Sequence, residues 1–388
     1  MKLSTDRILT THVGSLPRPD DLFEMMLDKM DGKPIDEKAY AERVRKAVAD
    51  CVRQQVNAGL DIVSDGEMGK PSFITYAAQR LDGLEKREGD RPSPFANTRE
   101  TRDFPEYYQS TVAEQVSARR RRARMVCVGP IKYRGHARLK GDLDNLKSAL
   151  KDVNAAEAFV PAIAPSNIET TTPNEYYPTQ EAYVFAIAEA MSEEYKAIVD
   201  AGFLLQIDDP FLVTYYIMRP ELSIAECRAW GELRVEALNS ALAGIPEGKV
   251  RFHTCYSINM GPRIHDMQLK NIIDIILKVR AGAYSFEASN PRHKHEWEEW
   301  KRAETPDDKV LIPGVITQST VLVEHPELVA QRIGRFADVV GRERVIAGAD
   351  CGFASFAGSN EVHPSIVWAK FNSLVEGSRL ASKQLWKK

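Results

Sequence analysis

Short apolar runs alternate along the chain with segments whose apolar residues recur every three to four positions, the pattern of strands interleaved with amphipathic helices. Strand ends are predicted at 8–14, 60–65, 124–128, 203–208, 250–255, 283–287, 310–315 and 345–350. Between them, 36–58 and 179–201 read as helices that close on Gly59 and Gly202 just before the next strand. The same order of helix, glycine and strand recurs at 266–282 and 325–341, while His325-Pro326 and His363-Pro364 place proline in the first turn of a helix. Eight parallel strands joined by helices in one unbroken chain predict a single (β/α)8 TIM barrel over 1–388. No strand is followed by the glycine fingerprint of a dinucleotide-binding open sheet.

Two stretches exceed a minimal barrel. Residues 85–123 are charged, contain several prolines and end in the run Arg119–Arg122, which reads as a solvated helix face; 159–178 begins with a ninth apolar run, FVPAIAP, and continues as TTTPNEYYPT. Both are predicted to be insertions over the C-terminal mouth of the barrel.

Composition narrows the partners. The 52 basic and 55 acidic residues are mixed along the chain and leave a net charge of -3, so no field calls for nucleic acid or a membrane surface, and a small molecule is the expected partner. A homo-oligomer is compatible with this composition. No run approaches the roughly 20 apolar residues that span a bilayer, and the opening residues lack a signal-like core, so a cytoplasmic protein is expected. Five scattered cysteines are too few for a disulfide scaffold, which leaves metal ligation or nucleophilic chemistry for any that is special.

Barrel chemistry gathers where strands end. Three of the predicted ends offer His253 and Cys255, Glu287, and Cys351. Residues 253 and 255 share one face of a strand, so His-x-Cys is a chelating pair. One imidazole, two thiolates and a carboxylate suit tetrahedral zinc, with the carboxylate the ligand most readily released for a substrate. Cys51, Cys127 and Cys227 read as small buried residues. His12, after the first strand, either orients a substrate or bonds to the backbone, and His293-x-His295 reads as the start of a surface helix.

At these residues the chain resembles the cobalamin-independent methionine synthase family, in particular its catalytic barrel. The resemblance is carried by THVGSLPR (11–18), SDGEMGKPSF (64–73), LQIDDP (205–210), HTCYS (253–257), YSFEASNPRHKHE (284–296), PGVITQS (313–319) and ADCG (349–352). It implies that His253, Cys255, Glu287 and Cys351 hold Zn2+, that Glu67 and Asp208 bind the ammonium of homocysteine, and that the main chain around Ser15 receives its carboxylate. It further implies methyl transfer giving methionine. Asp208 and His12 are the catalytic candidates. The chain matches the short, barrel-only branch. Where the long enzymes carry a histidine proposed as a proton donor, it reads Gly314-Val315-Ile316-Thr317-Gln318-Ser319. The donor therefore stays open between a methylated tetrahydrofolate and a methylcobalamin protein. The same branch includes epoxyalkane:coenzyme M transferases, so thiol addition to an epoxide is the nearest alternative. A zinc hydrolase is a further one, disfavoured because two thiolate ligands lower the acidity of the metal.

Overall fold

The computed structural model describes residues 1–87, 97–109, 124–256, 261–357 and 362–387. The arginine run Arg119–Arg122 lies outside the described residues, as does most of 85–123. Among the described residues ten strands form: β1 (Leu9–Thr10), β2 (Ile62–Val63), β3 (Leu81–Arg87), β4 (Arg124–Tyr133), β5 (Glu157–Ile163), β6 (Leu204–Asp208), β7 (Val250–Thr254), β8 (Ala283–Phe286), β9 (Val310–Ile316) and β10 (Ile346–Ala349).

Eight of them make one parallel sheet in the order β1-β10-β9-β8-β7-β6-β5-β2. The two ends of this order meet. Asp61 N donates to Thr10 O at 3.1 Å, and Thr11 Oγ1 donates to Ile62 O at 3.0 Å, drawing β1 against β2 in a nearly closed barrel. Helices wrap the outside, as the periodicity predicts. Glu37–Asn57 is capped by the Asp36 carboxylate, and Gln180–Asp200 by the Thr179 hydroxyl. Both histidine-proline starts are helix starts: the His325 ring accepts from Glu327 N before Pro326–Val340, and that of His363 accepts from Ser365 N before Pro364–Trp386. The helix expected across 266–282 is shorter than its pattern, one 3-10 turn at Leu269–Asn271 and a single turn at Ile273–Ile276.

One strand assignment is corrected. β4, expected as the third barrel strand, pairs antiparallel with β3 as a separate two-stranded sheet. Gly129-Pro130 therefore ends no barrel strand. The third position belongs to β5, the run expected to be an insertion, so the insertion near 159–178 begins only after a barrel strand. Burial explains the exchange. From Ala158 to Ile163 every residue of β5 is buried, the mark of a strand covered on both faces, whereas β4 alternates buried Ile131 and Tyr133 with exposed Lys132. Pro161 argues against a central strand, yet β2 pairs only with Glu157 and Ala158, so β5 has an open flank where a proline is tolerated. Its ring packs on Gly14, where a Cβ would lie 2.6 Å from Pro161 Cγ and φ is +131°.

Arg80, fully buried, fastens the hairpin to the outer helices. It donates to Asp142 at 2.6 Å and Glu194 at 2.9 Å, with its guanidinium 3.5 Å from the centre of the Tyr76 ring. No helix of the described residues is long and apolar enough to cross a membrane.

Candidate metal and substrate site

His253 sits on β7, Cys255 one residue past its end and Cys351 two residues past the end of β10. The barrel brings the three together although 96 residues separate the cysteines. Their ligand atoms all lie within 4.8 Å of one another, all three residues are buried, and the two sulfurs are 3.0 Å apart without a bond between them. His253 Nδ1 meets Ser285 Oγ at 3.3 Å, while Nε2 is buried with no partner among the described residues. Burial, with the nearby Arg251 charge, pushes the imidazole down to about 3, so it is neutral and carries a lone pair for a metal. An orphaned imidazole nitrogen facing two thiols is a donor set that a soft-to-borderline cation satisfies.

Glu287 is not gathered with them. Its carboxylate is fully buried one residue past β8, where it takes Arg263 Nη1 at 2.9 Å, Tyr256 N at 2.8 Å and Asn290 Nδ2 at 2.9 Å. Arg263 holds a left-handed backbone at φ 57°, and its own N–H donates to buried Glu100 at 2.7 Å. Here Glu287 is a carboxylate held beside the three donors by an arginine.

The candidate substrate residues occupy the opposite arc of the barrel. Glu67, at φ 57°, lies 3.4 Å from Lys70 Nζ and 3.9 Å from Arg18 Nη2, so it already faces two buried cations. Asp208 ends β6 and is partly exposed, with Gln206 Nε2 donating to it at 2.8 Å. Burial among the mouth residues and the neighbouring Glu67 charge hold its carboxyl well above the usual range. Ser15 O accepts from Phe353 N at 3.0 Å, which ties the end of β1 to the loop after β10.

His12, a catalytic candidate, is spent within the protein. Its Nδ1 accepts from Gly14 N at 3.1 Å, which leaves the proton on Nε2 for Gln55 Oε1 at 2.8 Å. Phe159 and Phe371 enclose the ring, and burial pushes it down to about 3. No nitrogen remains for a substrate, because the backbone turn at Gly14 claims one and a helix side chain the other. Cys51, Cys127 and Cys227 are buried and unbonded, as expected.

Two residues escaped the sequence reading. Gln55, fully buried, donates to Ser64 O at 2.8 Å and accepts from Ser64 N at 3.0 Å, joining His12 to the end of β2. Arg251, fully buried, donates to Thr11 Oγ1 at 3.1 Å and to His12 O at 2.9 Å. Each had a signal: a glutamine in the apolar stripe of a helix, and an arginine two residues before His253 on the same strand face.

His293 also departs from expectation, since it is buried rather than at a surface helix start. It sits between Asp266 at 2.9 Å and Glu296 at 2.8 Å and stacks 3.7 Å above the Tyr256 ring. Hydrogen bonds to these two carboxylates outweigh burial and raise the imidazole to about 9. A folded-state value above the ordinary 6.5 gives stability that is complete below that pH and is lost as pH rises through about 9. We expect wild type to lose on the order of 1–3 kcal/mol between pH 6.5 and 9.5. His293→Gln should flatten that slope in urea titrations, and an unchanged slope would refute the assignment.

The chain has recognisable relatives. The family model for the cobalamin-independent synthase catalytic domain matches residues 8–91 and 164–367. A methionine synthase of Thermococcus kodakarensis is 25% identical over 379 residues, covering 97% of this chain and 94% of its own length. That of Saccharolobus solfataricus is 26% identical over 382 residues, covering 98% and 96%. Among solved structures, a B12-independent methionine synthase from Shewanella sp. W3-18-1, in complex with selenomethionine, superposes with a TM-score of 0.73 at 19% identity, over 98% of this chain and 100% of that one. A protein from Listeria monocytogenes described as a putative vitamin-B12 independent methionine synthase gives 0.66 at 20% identity, over 96% and 98%. With three-quarters of its length matched and the same barrel around its buried His-Cys-Cys group, the chain belongs to the cobalamin-independent synthase catalytic domain family.

Proposed function

We propose that this protein is a cytoplasmic, zinc-dependent methyltransferase that moves a methyl group to homocysteine, giving methionine. The observation that carries this reading is the buried group His253, Cys255 and Cys351, with an unpartnered imidazole nitrogen, at the carboxyl ends of barrel strands in a chain of this family. Those three residues would hold the zinc, with Glu287 the fourth ligand if Arg263 releases it. When bound, the metal supplies the acidity that keeps a coordinated thiol deprotonated near neutral pH.

The chain's own residues do the rest. Asp208, partly exposed and poor in partners, receives the substrate ammonium, whose positive charge also relieves its repulsion from Glu67. The main chain at Ser15 receives the carboxylate. Fixing both ends of a short amino acid aims its sulfur and converts head-group binding into orientation. His12 and Gln55 act as positioning residues, since they lock the turn at Gly14 next to Ser15. The methyl group comes from methyltetrahydrofolate or a methylcobalamin protein.

Lys70 and Arg18 beside Glu67 favour a second reading, an anionic head group such as the sulfonate of coenzyme M. One titration separates the two. Calorimetry of zinc-loaded protein should show homocysteine binding with release of about one proton per site, read from buffers of different ionisation enthalpy. Preference for coenzyme M would transfer the assignment to an epoxide-opening thiol transferase, and failure to bind either thiol would end the thiol-activation reading.

A further inference from the structure

Gln206, on β6, is fully buried and reaches across the barrel interior to a segment its own strand does not pair with. Its amide nitrogen carries two hydrogens and gives one to each of two acceptors, Asp208 Oδ1 at 2.8 Å and the main-chain oxygen of Val13. Val13 follows β1, and around the barrel β2 and β5 stand between β1 and β6, so the second bond spans the interior. Both partners are acceptors, so one orientation of the amide satisfies them. Its oxygen is then buried without a partner among the described residues. That unmet oxygen destabilises the fold, while the nitrogen joins two groups that no other described side chain joins.

The strands beside β6 hold the same segment. On β7 the register partner of Gln206 is Arg251, which donates to His12 O at 2.9 Å. On β5 its register partner is Pro161, whose ring crowds Gly14. Ser64 Oγ, past the end of β2, donates to Gly14 O at 3.2 Å. The carbonyls of His12, Val13 and Gly14 are thus gripped one after another by side chains of three other strands or their ends. Of these grips, that of Gln206 alone is shared with Asp208.

The two ends of this link are where the reading above seats the two ends of one head group. An α-amino acid carries its ammonium and its carboxylate on one carbon, so Asp208 and the main chain at Ser15, two residues past Val13, must keep a set separation for one molecule to meet both. A misplacement of about 1 Å is enough to lose on the order of 100-fold. One rigid amide bonded to both sides holds that separation without touching the substrate.

Resting on the methyltransferase reading above, we infer that Gln206 is a positioning residue that fixes the span between Asp208 and the Ser15 main chain, and so makes the site selective for a thiol bearing ammonium and carboxylate on one carbon.

The test measures the binding of three thiols to zinc-loaded wild type, Gln206→Met and Gln206→Asn. Homocysteine carries both charged groups, 3-mercaptopropylamine lacks the carboxylate and 4-mercaptobutanoate lacks the ammonium; the last two are read by competition against homocysteine. Gln206→Met, of similar length and without donors, should raise the Kd for homocysteine by about 10- to 100-fold and leave that of each one-ended thiol within about threefold. Gln206→Asn keeps the amide on a side chain one methylene too short to reach both acceptors, and should lose the same preference. Zinc per chain should stay at the wild-type level in both. An unchanged Kd for homocysteine in Gln206→Met, a loss shared in full by all three thiols, or a loss of zinc or fold in both variants would overturn the inference, the last two by making Gln206 a structural residue. If wild type binds homocysteine no tighter than the one-ended thiols, the inference falls while thiol activation stands. If wild type binds no homocysteine, the methyltransferase reading falls and takes this inference with it.

Discussion

Cys351→Ser is expected to leave the protein folded, without its metal, and slower in methyl transfer by about 10³-fold or more in kcat/KM. Loss of residues that merely orient a metal ligand already costs about 10- to 100-fold. Removing one of two thiolates does more, since a serine hydroxyl is a poor ligand for zinc and stays protonated near neutral pH. Cys351 is buried and converges with His253 and Cys255, so no other described thiol can take its place. Metal content per chain by atomic emission, alongside far-ultraviolet circular dichroism, checks this. Cys227→Ser, in an outer helix, is the control and should keep its metal. Full metal retention in Cys351→Ser would dismiss the site.

Arg263→Ala should destabilise the metal-free protein by about 3–5 kcal/mol, the range for a buried carboxylate stripped of its charge partner. The arginine donates to Glu287 at 2.9 Å and to Tyr256 O at 3.0 Å, and both charged side chains are almost wholly buried. The same substitution should cost less in zinc-loaded protein if Glu287, once released, turns to the metal for its positive charge. Urea unfolding of both forms gives the difference. Equal losses with and without zinc would remove Glu287 from the ligand set and leave it as the partner of Arg263.

Much of the barrel was legible because three of its helices close on a glycine before a strand, and those glycines have the left-handed backbone that makes the stop: φ is +90° at Gly59, +97° at Gly202 and +85° at Gly341. The exchange of β4 for β5 was not legible from alternation alone. A hairpin strand and a barrel strand share the same short apolar run, and Pro161 argues against a central strand until one knows that β2 is only two residues long. At the site, strand-face parity brought His253 to Cys255, and shared strand-end depth brought both to Cys351. The pairings of Glu287 with Arg263, and of Glu67 with Lys70 and Arg18, were beyond that reasoning. They depend on long side chains reaching across loops, where no period fixes direction.

The order of the strands also dictates how the molecule is made. β1 is made before the other barrel strands and pairs with β10, the last of them, while Cys255 must await Cys351, 96 residues later. At roughly 5–20 residues per second that wait is about 5–20 s, during which the first thiol has no companion. Metal capture is thus a late event in biogenesis, open only to chains whose last strand has docked. The full donor set exists only once β10 has taken its place in the barrel, so the centre cannot be filled by a barrel that lacks this strand.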